Sequence, residues 1–342
     1  MTYTHLGFSA FLLASGCSYK EGKDTSADAG SGISALEVLL VVDSSASMMD
    51  HAVDISMNID VLTQTLNEVA SQENGAIFGL TTVSVNPSEG FTPGVDAGEA
   101  GTLIMQGWAA GESFSHNVRQ ALSCQATCWS NSEIPSEPDY AGSTGDCPMP
   151  DVGVTTEYLD CLCSDVDYPD PSASWGSSQL CGFGQEQPLE AALLTLCRAE
   201  EDPPDICADH TGSTFDAEED AGTVENFLRD DSTVVVIIVT DEGDSSPMFN
   251  SGDATEHPYI DAFAQFDREV IVTAIGPTLS CEGDDCSVAC NSGSASISQV
   301  ERLRNAAQQS NGFYRSLLSE EDCSLASFTD HFGALKQLLE AL

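Results

Sequence analysis

The chain of 342 residues combines an ordinary apolar content with an extreme acidic charge. Its 41% hydrophobic and 19% charged residues provide enough apolar material for one large domain or two small ones. Ten Lys and Arg against 55 Asp and Glu give a formal net charge of −45. Such a surface repels phosphate backbones and anionic lipid heads, which argues against nucleic acid as a partner. The charge favours a solvated acidic surface over a surface adapted to a specific basic partner.

The N-terminus contains a short apolar stretch. Residues 6–16 are mostly apolar, too short to span a bilayer, and end in small residues before Cys17. This pattern resembles the signal peptide and lipobox of a bacterial lipoprotein, in which the cysteine is lipidated and becomes the mature N-terminus. The first five residues lack the usual Lys or Arg, so an upstream start, ordinary signal cleavage and a buried N-terminal helix remain alternatives.

The N-terminal pattern predicts an exported protein with a signal peptide over residues 1–17, anchored to a membrane only through a lipid on Cys17. Residues 18–34 are rich in Gly, Ser, Asp and Ala, which is typical of a flexible linker. Ser18 is not the Asp that retains lipoproteins at the inner membrane, and this slightly favours the outer one.

Apolar runs and helical spacing alternate along the rest of the chain. Strands are predicted at residues 36–42, 77–85, 101–108 (a short edge strand), 234–239 and 270–275, and helices at residues 48–73, 114–122, 188–197, 259–266, 297–309 and 328–342. Continuous apolar runs are typical of strands buried on both faces of a parallel sheet. The alternation predicts one α/β domain over residues 35–342, with a doubly wound, mostly parallel central sheet between helices.

Thirteen cysteines are many for this length, and twelve remain when Cys17 is set aside. An even number in an exported chain favours disulfides, up to six of them, whose pairing the sequence does not define. Residues 123–183 contain six cysteines and no sustained periodicity, which predicts a Cys-rich insertion held by disulfides. Two groups also have metal-like spacing, but disulfides are the favoured interpretation for both: Cys161 and Cys163, and Cys281, Cys286 and Cys290.

Polar side chains follow two of the predicted strands. Asp43, Ser45 and Ser47 lie on the turn between the first strand and its helix, where helix capping alone is one explanation. Asp241 follows the strand at residues 234–239. Because parallel strands present their carboxyl ends at one edge of the sheet, we expect these residues to meet there. Two carboxylates and two hydroxyls form an all-oxygen set that suits Mg²⁺, with room for water and one ligand oxygen from outside.

On these residues the chain resembles the von Willebrand factor type A family. The resemblance covers residues 36–342 apart from the Cys-rich stretch, and it implies that family's doubly wound fold with a metal ion-dependent adhesion site. In that site Ser45 and Ser47 would bind the ion directly, and Asp43 and Asp241 would hold its waters. The carboxylate of a protein or other ligand would complete the coordination shell.

The sequence departs from the family pattern at one ligand position. The family places a Thr before a middle helix, where this chain has Gln187 preceded by Glu186. Either side chain can supply an oxygen, and a carboxylate there would favour Ca²⁺ or Mn²⁺ over Mg²⁺ and weaken the attraction for an acidic ligand. The alternative is a loop that no longer contacts the metal.

The leading interpretation is therefore a non-enzymatic binding or adhesion protein of the cell envelope. The alternatives are a structural envelope protein with a degenerate or purely structural site and, with less support, a metal-dependent hydrolase. The sequence contains no His-Glu-x-x-His motif, Gly-x-Ser-x-Gly elbow or Walker loop. A second Ca²⁺ site is conceivable in the loop after residue 240, but a plain acidic loop is favoured for its carboxylates, Asp241, Glu242, Asp244 and Asp253.

Overall fold

The computed structural model describes residues 35–43, 48–69, 75–83, 85, 101–103, 105–109, 186–209, 215–248, 257–282, 285–290, 295–320, 323–324, 326 and 328–341. The predicted signal peptide, the linker, the helix at 114–122 and the Cys-rich insertion lie outside these residues.

A six-stranded sheet forms the centre of the fold, and a two-stranded hairpin lies apart from it. The strands are β1 (Leu36–Val42), β2 (Ala76–Thr82), β3 (Met105–Trp108), β4 (Thr233–Val239), β5 (Glu269–Gly276), β6 (Thr278–Glu282), β7 (Asp285–Ala289) and β8 (Tyr314–Ser316). The central order is β3-β2-β1-β4-β5-β8, and every neighbouring pair is parallel except β2 and β3. The predicted mostly parallel sheet with a short edge strand is confirmed.

Helices cover both faces of the sheet because residues within each strand alternate between two apolar clusters. The helices are α1 (Met49–Val69), α2 (Pro188–Ala199), α3 (Asp205–Asp209), α4 (Ala217–Asp220), α5 (Pro258–Phe263), α6 (Ile297–Gln309) and α7 (Phe328–Ala341). Val38 of β1 belongs to the cluster with α1 and α7, whereas its neighbour Leu39 belongs to the cluster with α2, α5 and α6. This is the doubly wound, Rossmann-like α/β arrangement that the sequence predicts.

The structure adds elements that the sequence did not predict. β6 and β7 form an antiparallel hairpin in which Cys281 lies opposite Cys286. β8 is three residues long and pairs with residues 274–276 of β5. The short helices α3 and α4 precede β4. None of these segments has a long apolar run, and the sequence therefore contains no clear signal for them.

Two disulfides are present among the described residues, Cys197–Cys207 and Cys290–Cys323. The disulfide interpretation is thus confirmed for Cys290. Such bonds persist in oxidising compartments, which agrees with a protein outside the cytoplasm. None of the helices in the described part of the chain is both long and apolar enough to cross a membrane.

Candidate metal site at the carboxyl edge of the sheet

The ends of β1 and β4 meet at the centre of the carboxyl edge. Their register places Val42 beside Val239, and the ladder continues as the N–H of Asp43 donates to the Val239 carbonyl at 2.8 Å. The hydroxyl of Thr240 then donates to Oδ2 of Asp43 at 2.7 Å. Both residues are fully buried. Asp43 is thereby fixed at the carboxyl edge, where parallel α/β sheets bind their ligands.

The loop after β4 is packed tightly against the start of α6. The hydroxyl of Thr240 accepts from the N–H of Glu242 at 3.0 Å, which turns the chain directly after Asp241. A Cβ on Gly243 would lie 2.3 Å from the Cβ of Gln299, so only glycine permits this approach. Asp241 is buried as well. The two predicted carboxylates, Asp43 and Asp241, therefore belong to one compact edge.

A second loop, directly before α2, brings Glu186 to the same edge. The Gln187 N–H donates to the carbonyl of Val83 at 3.1 Å, next to the end of β2. The Ser245 N–H donates to the carbonyl of Glu186 at 2.8 Å, which joins this loop to the one after β4. Gln187 is the N-cap of α2 but makes no side-chain capping bond, and its Oε1 is buried without a hydrogen-bond partner.

Glu186 shows the electrostatic cost of this arrangement. Burial, followed by the negative charges of Asp43 and Glu242, raises the pKa of Glu186 to about 8. Its side chain also shares a hydrogen bond with that of Glu242. Three carboxyl groups are thus close enough to disfavour simultaneous ionisation, and a proton or a cation relieves the repulsion.

Asp244 and Ser246 fasten the amino end of α2. Oδ1 of Asp244 accepts from the Leu189 N–H at 3.3 Å and from the Ser246 hydroxyl at 2.5 Å. The hydroxyl of Ser246 also accepts from the Glu190 N–H at 3.1 Å. The carboxylate is completely buried, and its Oδ2 has no hydrogen-bond partner. Asp244 thus holds the start of α2 in place. In this structure the acidic loop after β4, for which a second Ca²⁺ site was the less favoured interpretation, has a structural role.

The structure brings four of the sequence-predicted site residues to one edge: Asp43, Asp241, Glu186 and Gln187. Ser45, Ser47 and the proposed lipidation residue Cys17 lie outside the described residues, so their roles stay predictions. Sequence reasoning assigned no role to Thr240 and no partner to Glu242. The threonine directly before Asp241 was the available signal, because a hydroxyl at a strand end can bond to the neighbouring strand's carboxylate.

The donor types at this edge are those that a hard divalent cation accepts. The oxygens come from carboxylates and from the unpartnered amide carbonyl of Gln187, which are the ligand types that Mg²⁺, Mn²⁺ and Ca²⁺ accept. Within the described part of the chain, no three Asp, Glu, His or Cys side chains converge closely enough to bind a metal without other ligands. A metal here would require further oxygens, and Ser45 and Ser47 lie two and four positions after Asp43 in the chain.

Comparisons with known proteins leave the family open. No family model matches the chain, and no curated protein is significantly similar to it. Among solved structures, an aerotolerance-related membrane protein from Bacteroides fragilis, carrying multiple mutations to serine, is similar over 90% of this chain and 100% of its own. The sequence identity is 12% and the TM-score is 0.33. The fold assignment therefore rests on the sheet order and the helix placement alone.

Proposed function

We propose that the chain is a binding module of the cell envelope that recognises a carboxylate-bearing partner through a divalent metal at the carboxyl edge. The observation that carries the proposal is the burial of Glu186 beside Asp43 and Glu242, three carboxyl groups whose joint ionisation at that edge calls for a compensating cation. Folded proteins rarely bury like charges together without a counterion or a bound proton.

Each residue has a distinct task in this proposal. Asp43, fixed by Thr240, and Asp241 orient metal-bound waters, while Ser45 and Ser47 bind the ion directly. Glu186 or the carbonyl of Gln187 replaces the threonine of the similar family. The cation, Mg²⁺ or else Mn²⁺ or Ca²⁺, supplies the positive charge that attracts the partner's carboxylate. No group at this edge is assigned to bond cleavage, and the module binds without turnover.

The proposal places the domain outside the cytoplasm, tethered through a lipid on Cys17. The disulfides Cys197–Cys207 and Cys290–Cys323 support an oxidising compartment. The net charge of −45 gives the chain as a whole a long-range repulsion for other acidic molecules. A local cation at the edge overcomes this repulsion only at short range, which favours partners that present a single carboxylate to it.

A purely structural role for the edge is the second candidate, and one observation favours it. The hydrogen bond between the Glu186 and Glu242 side chains allows a proton to neutralise the edge without a metal. In that case the two loops are held closed by this proton and by the bond between Ser245 and Glu186. Metal would then bind weakly and no carboxylate ligand would depend on it.

Calorimetric titration of the chelator-treated chain with Mg²⁺, Mn²⁺ and Ca²⁺ tests the proposal. Asp43→Asn retains an oxygen for the Thr240 hydroxyl and removes the charge, so we expect metal binding to be lost while the melting temperature in chelator stays near that of the wild type. Asp216→Asn, at the exposed N-cap of α4, is the matched control. Equal metal binding by Asp43→Asn and the wild type would reject the metal site. A wild type that melts cooperatively but binds no metal would support the structural role.

A further inference from the structure

A polar cavity lies beside the β8 edge of the sheet and shares no residue with the candidate metal site. Its volume is about 510 Å³, and two arginines face it, Arg304 from α6 and Arg315 from β8. Leu279 of β6, Tyr314 of β8 and Leu318 supply apolar surface. The cavity therefore combines two guanidinium groups with a hydrophobic wall.

These two arginines are unusual within this chain. Other described basic side chains form ion pairs with carboxylates: Arg198 with Asp220, Arg229 with Glu37, Arg268 with Glu200 and Lys336 with Glu68. Arg302 donates to the carbonyl of Asp244. Arg304 and Arg315, in contrast, have no ion pair or hydrogen bond with any residue in the described ranges. The Nε of Arg304 is buried without an acceptor, whereas the side chain of Arg315 is exposed to solvent at the rim of the cavity.

Arg304 and Arg315 lack ion-pair partners among the described residues although the chain is rich in carboxylates. The chain has 55 Asp and Glu for ten Lys and Arg, and two of these carboxylates, Glu320 and Asp330, also line the cavity. Neither of them is within ion-pair distance of Arg304 or Arg315 in the part of the chain that the structure describes. A buried guanidinium N–H that lacks an acceptor costs free energy, which an anionic ligand would recover.

Among the groups that line the cavity, Arg304 and Arg315 carry positive charge, Glu320 and Asp330 are carboxylates, and His331 adds no charge. Burial, and then the charge of Arg315, lower the pKa of His331 to about 4, with Asp330 opposing the shift. His331 is therefore neutral at physiological pH. The hydroxyl of Tyr314 is engaged with the carbonyl of Pro277 at 2.5 Å. An entering anion thus meets two planar guanidinium groups as its donors.

We propose that this cavity binds a small organic molecule with a carboxylate and an apolar body. The carboxylate would bind Arg304 and Arg315, whose planar guanidinium groups match its two oxygens. The apolar body would pack against Leu279, Leu318 and the ring of Tyr314. This site is independent of the proposed metal site, because it uses other strands and other residues.

The test is calorimetric titration of the full-length chain with isocaproate, a branched aliphatic carboxylate, beside its neutral amide, isocaproamide. We expect saturable binding of isocaproate only. Arg304→Gln and Arg315→Gln should each weaken this binding about tenfold or more, because each removes charge-assisted hydrogen bonds. Arg304→Lys should restore only part of it, because the planar donor geometry is lost. Lys336→Gln removes an equal charge from the surface of α7 and should change the affinity by less than about twofold.

A second measurement separates ligand loss from misfolding. In the wild type, isocaproate should shift the Nε–Hε signal of Arg304 in a heteronuclear NMR spectrum, and the arginine variants should retain the wild-type melting temperature within a few degrees. The proposal fails if isocaproate gives no saturable signal with the wild type. It also fails if isocaproamide or inorganic phosphate binds more tightly than isocaproate. A third contradicting result would be wild-type affinity for isocaproate in both Arg304→Gln and Arg315→Gln, provided that both variants melt like the wild type.

Discussion

The hydroxyl of Thr240 donates a hydrogen bond of 2.7 Å to Oδ2 of Asp43, although the two residues are 197 positions apart in the chain. The bond joins the residues that directly follow β1 and β4, two strands that end side by side in the sheet. It also orients the carboxylate that the proposed metal site requires. Stability and metal binding at this edge are therefore expected to depend on the same hydroxyl group.

Replacing Thr240 with Val removes that donor at nearly constant volume. We expect the free energy of unfolding to fall by about 1–3 kcal/mol, because a buried carboxylate loses one of its hydrogen bonds. Metal affinity should fall as well, since Asp43 is no longer oriented. Urea unfolding and metal calorimetry measure the two effects. Thr273→Val is the matched control: its hydroxyl donates to the Val236 carbonyl at 3.2 Å, so stability alone should decrease. Unchanged metal affinity in Thr240→Val would contradict the orienting role.

Metal affinity should increase with pH up to about 8. Burial and the charges of Asp43 and Glu242 raise the pKa of Glu186 to about 8, so metal binding below that pH must displace a proton. The affinity should rise by up to about tenfold per pH unit and then level off. Glu186→Gln should flatten this dependence. Titrations at several pH values, in buffers with different ionisation enthalpies, count the released protons. An affinity independent of pH in the wild type would show that Glu186 does not contact the ion.

Asp244 should make the chelator-treated protein less stable as the pH rises. Burial raises the pKa of Asp244 from 3.8 to about 7, against the opposing hydrogen bonds from Ser246 and the Leu189 N–H. The folded state therefore favours the protonated carboxyl group. Its stabilising contribution is complete below the unfolded pKa and is lost as the pH rises through about 7.

Asp244→Asn keeps an oxygen acceptor and removes the ionisation. We expect this variant to be more stable than the wild type at pH 8, by on the order of 2–4 kcal/mol, and similar to it near pH 4. Urea unfolding across this range in chelator gives the comparison. Asp216→Asn, which removes the charge from an exposed carboxyl group that caps α4, should retain the wild-type pH slope. If the free energy of unfolding of Asp244→Asn falls with pH as steeply as that of the wild type, the proposed role of Asp244 ionisation is rejected.

The disulfide Cys197–Cys207 should stabilise the carboxyl end of α2. Both cysteines are buried, and the bond closes a loop with a sequence separation of ten. Removing it by a double substitution to Ala should cost about 3 kcal/mol from loop closure alone. Hydrogen exchange should accelerate in α2 more than in α7. The corresponding variant of Cys290–Cys323, whose separation is 33, should spare α2. Slow exchange of α2 in both variants would contradict this role.

The sequence predicts the central strands well because they are buried on both faces. β1, β4 and β5 are nearly continuous apolar runs, interrupted by Glu37 in β1 and Thr273 in β5, and each observed strand lies within about one residue of its prediction. The hairpin of β6 and β7 was missed because its polar and cysteine residues resemble a loop. β8 was missed because three residues are too few for any periodicity. The N-terminal anchor and the Cys-rich insertion remain predictions.

The candidate site was predictable only where sheet geometry determines it. Asp43 and Asp241 each follow a parallel strand, so their common edge could be inferred without the structure. The environment of Glu186 could not, because it depends on the bond between Ser245 and Glu186 and on the distant packing of two loops. No local pattern near residue 186 contains that information. The metal roles of Ser45 and Ser47 remain predictions from resemblance.

The helix α2 is fastened at both ends, by Asp244 and Ser246 at its start and by the Cys197–Cys207 disulfide and the Arg198–Asp220 pair at its end. The Cys-rich stretch enters the domain directly before this helix. Substitutions and insertions within residues 123–183 are therefore expected to leave the geometry around Asp43 unchanged, because the helix that follows them is anchored independently.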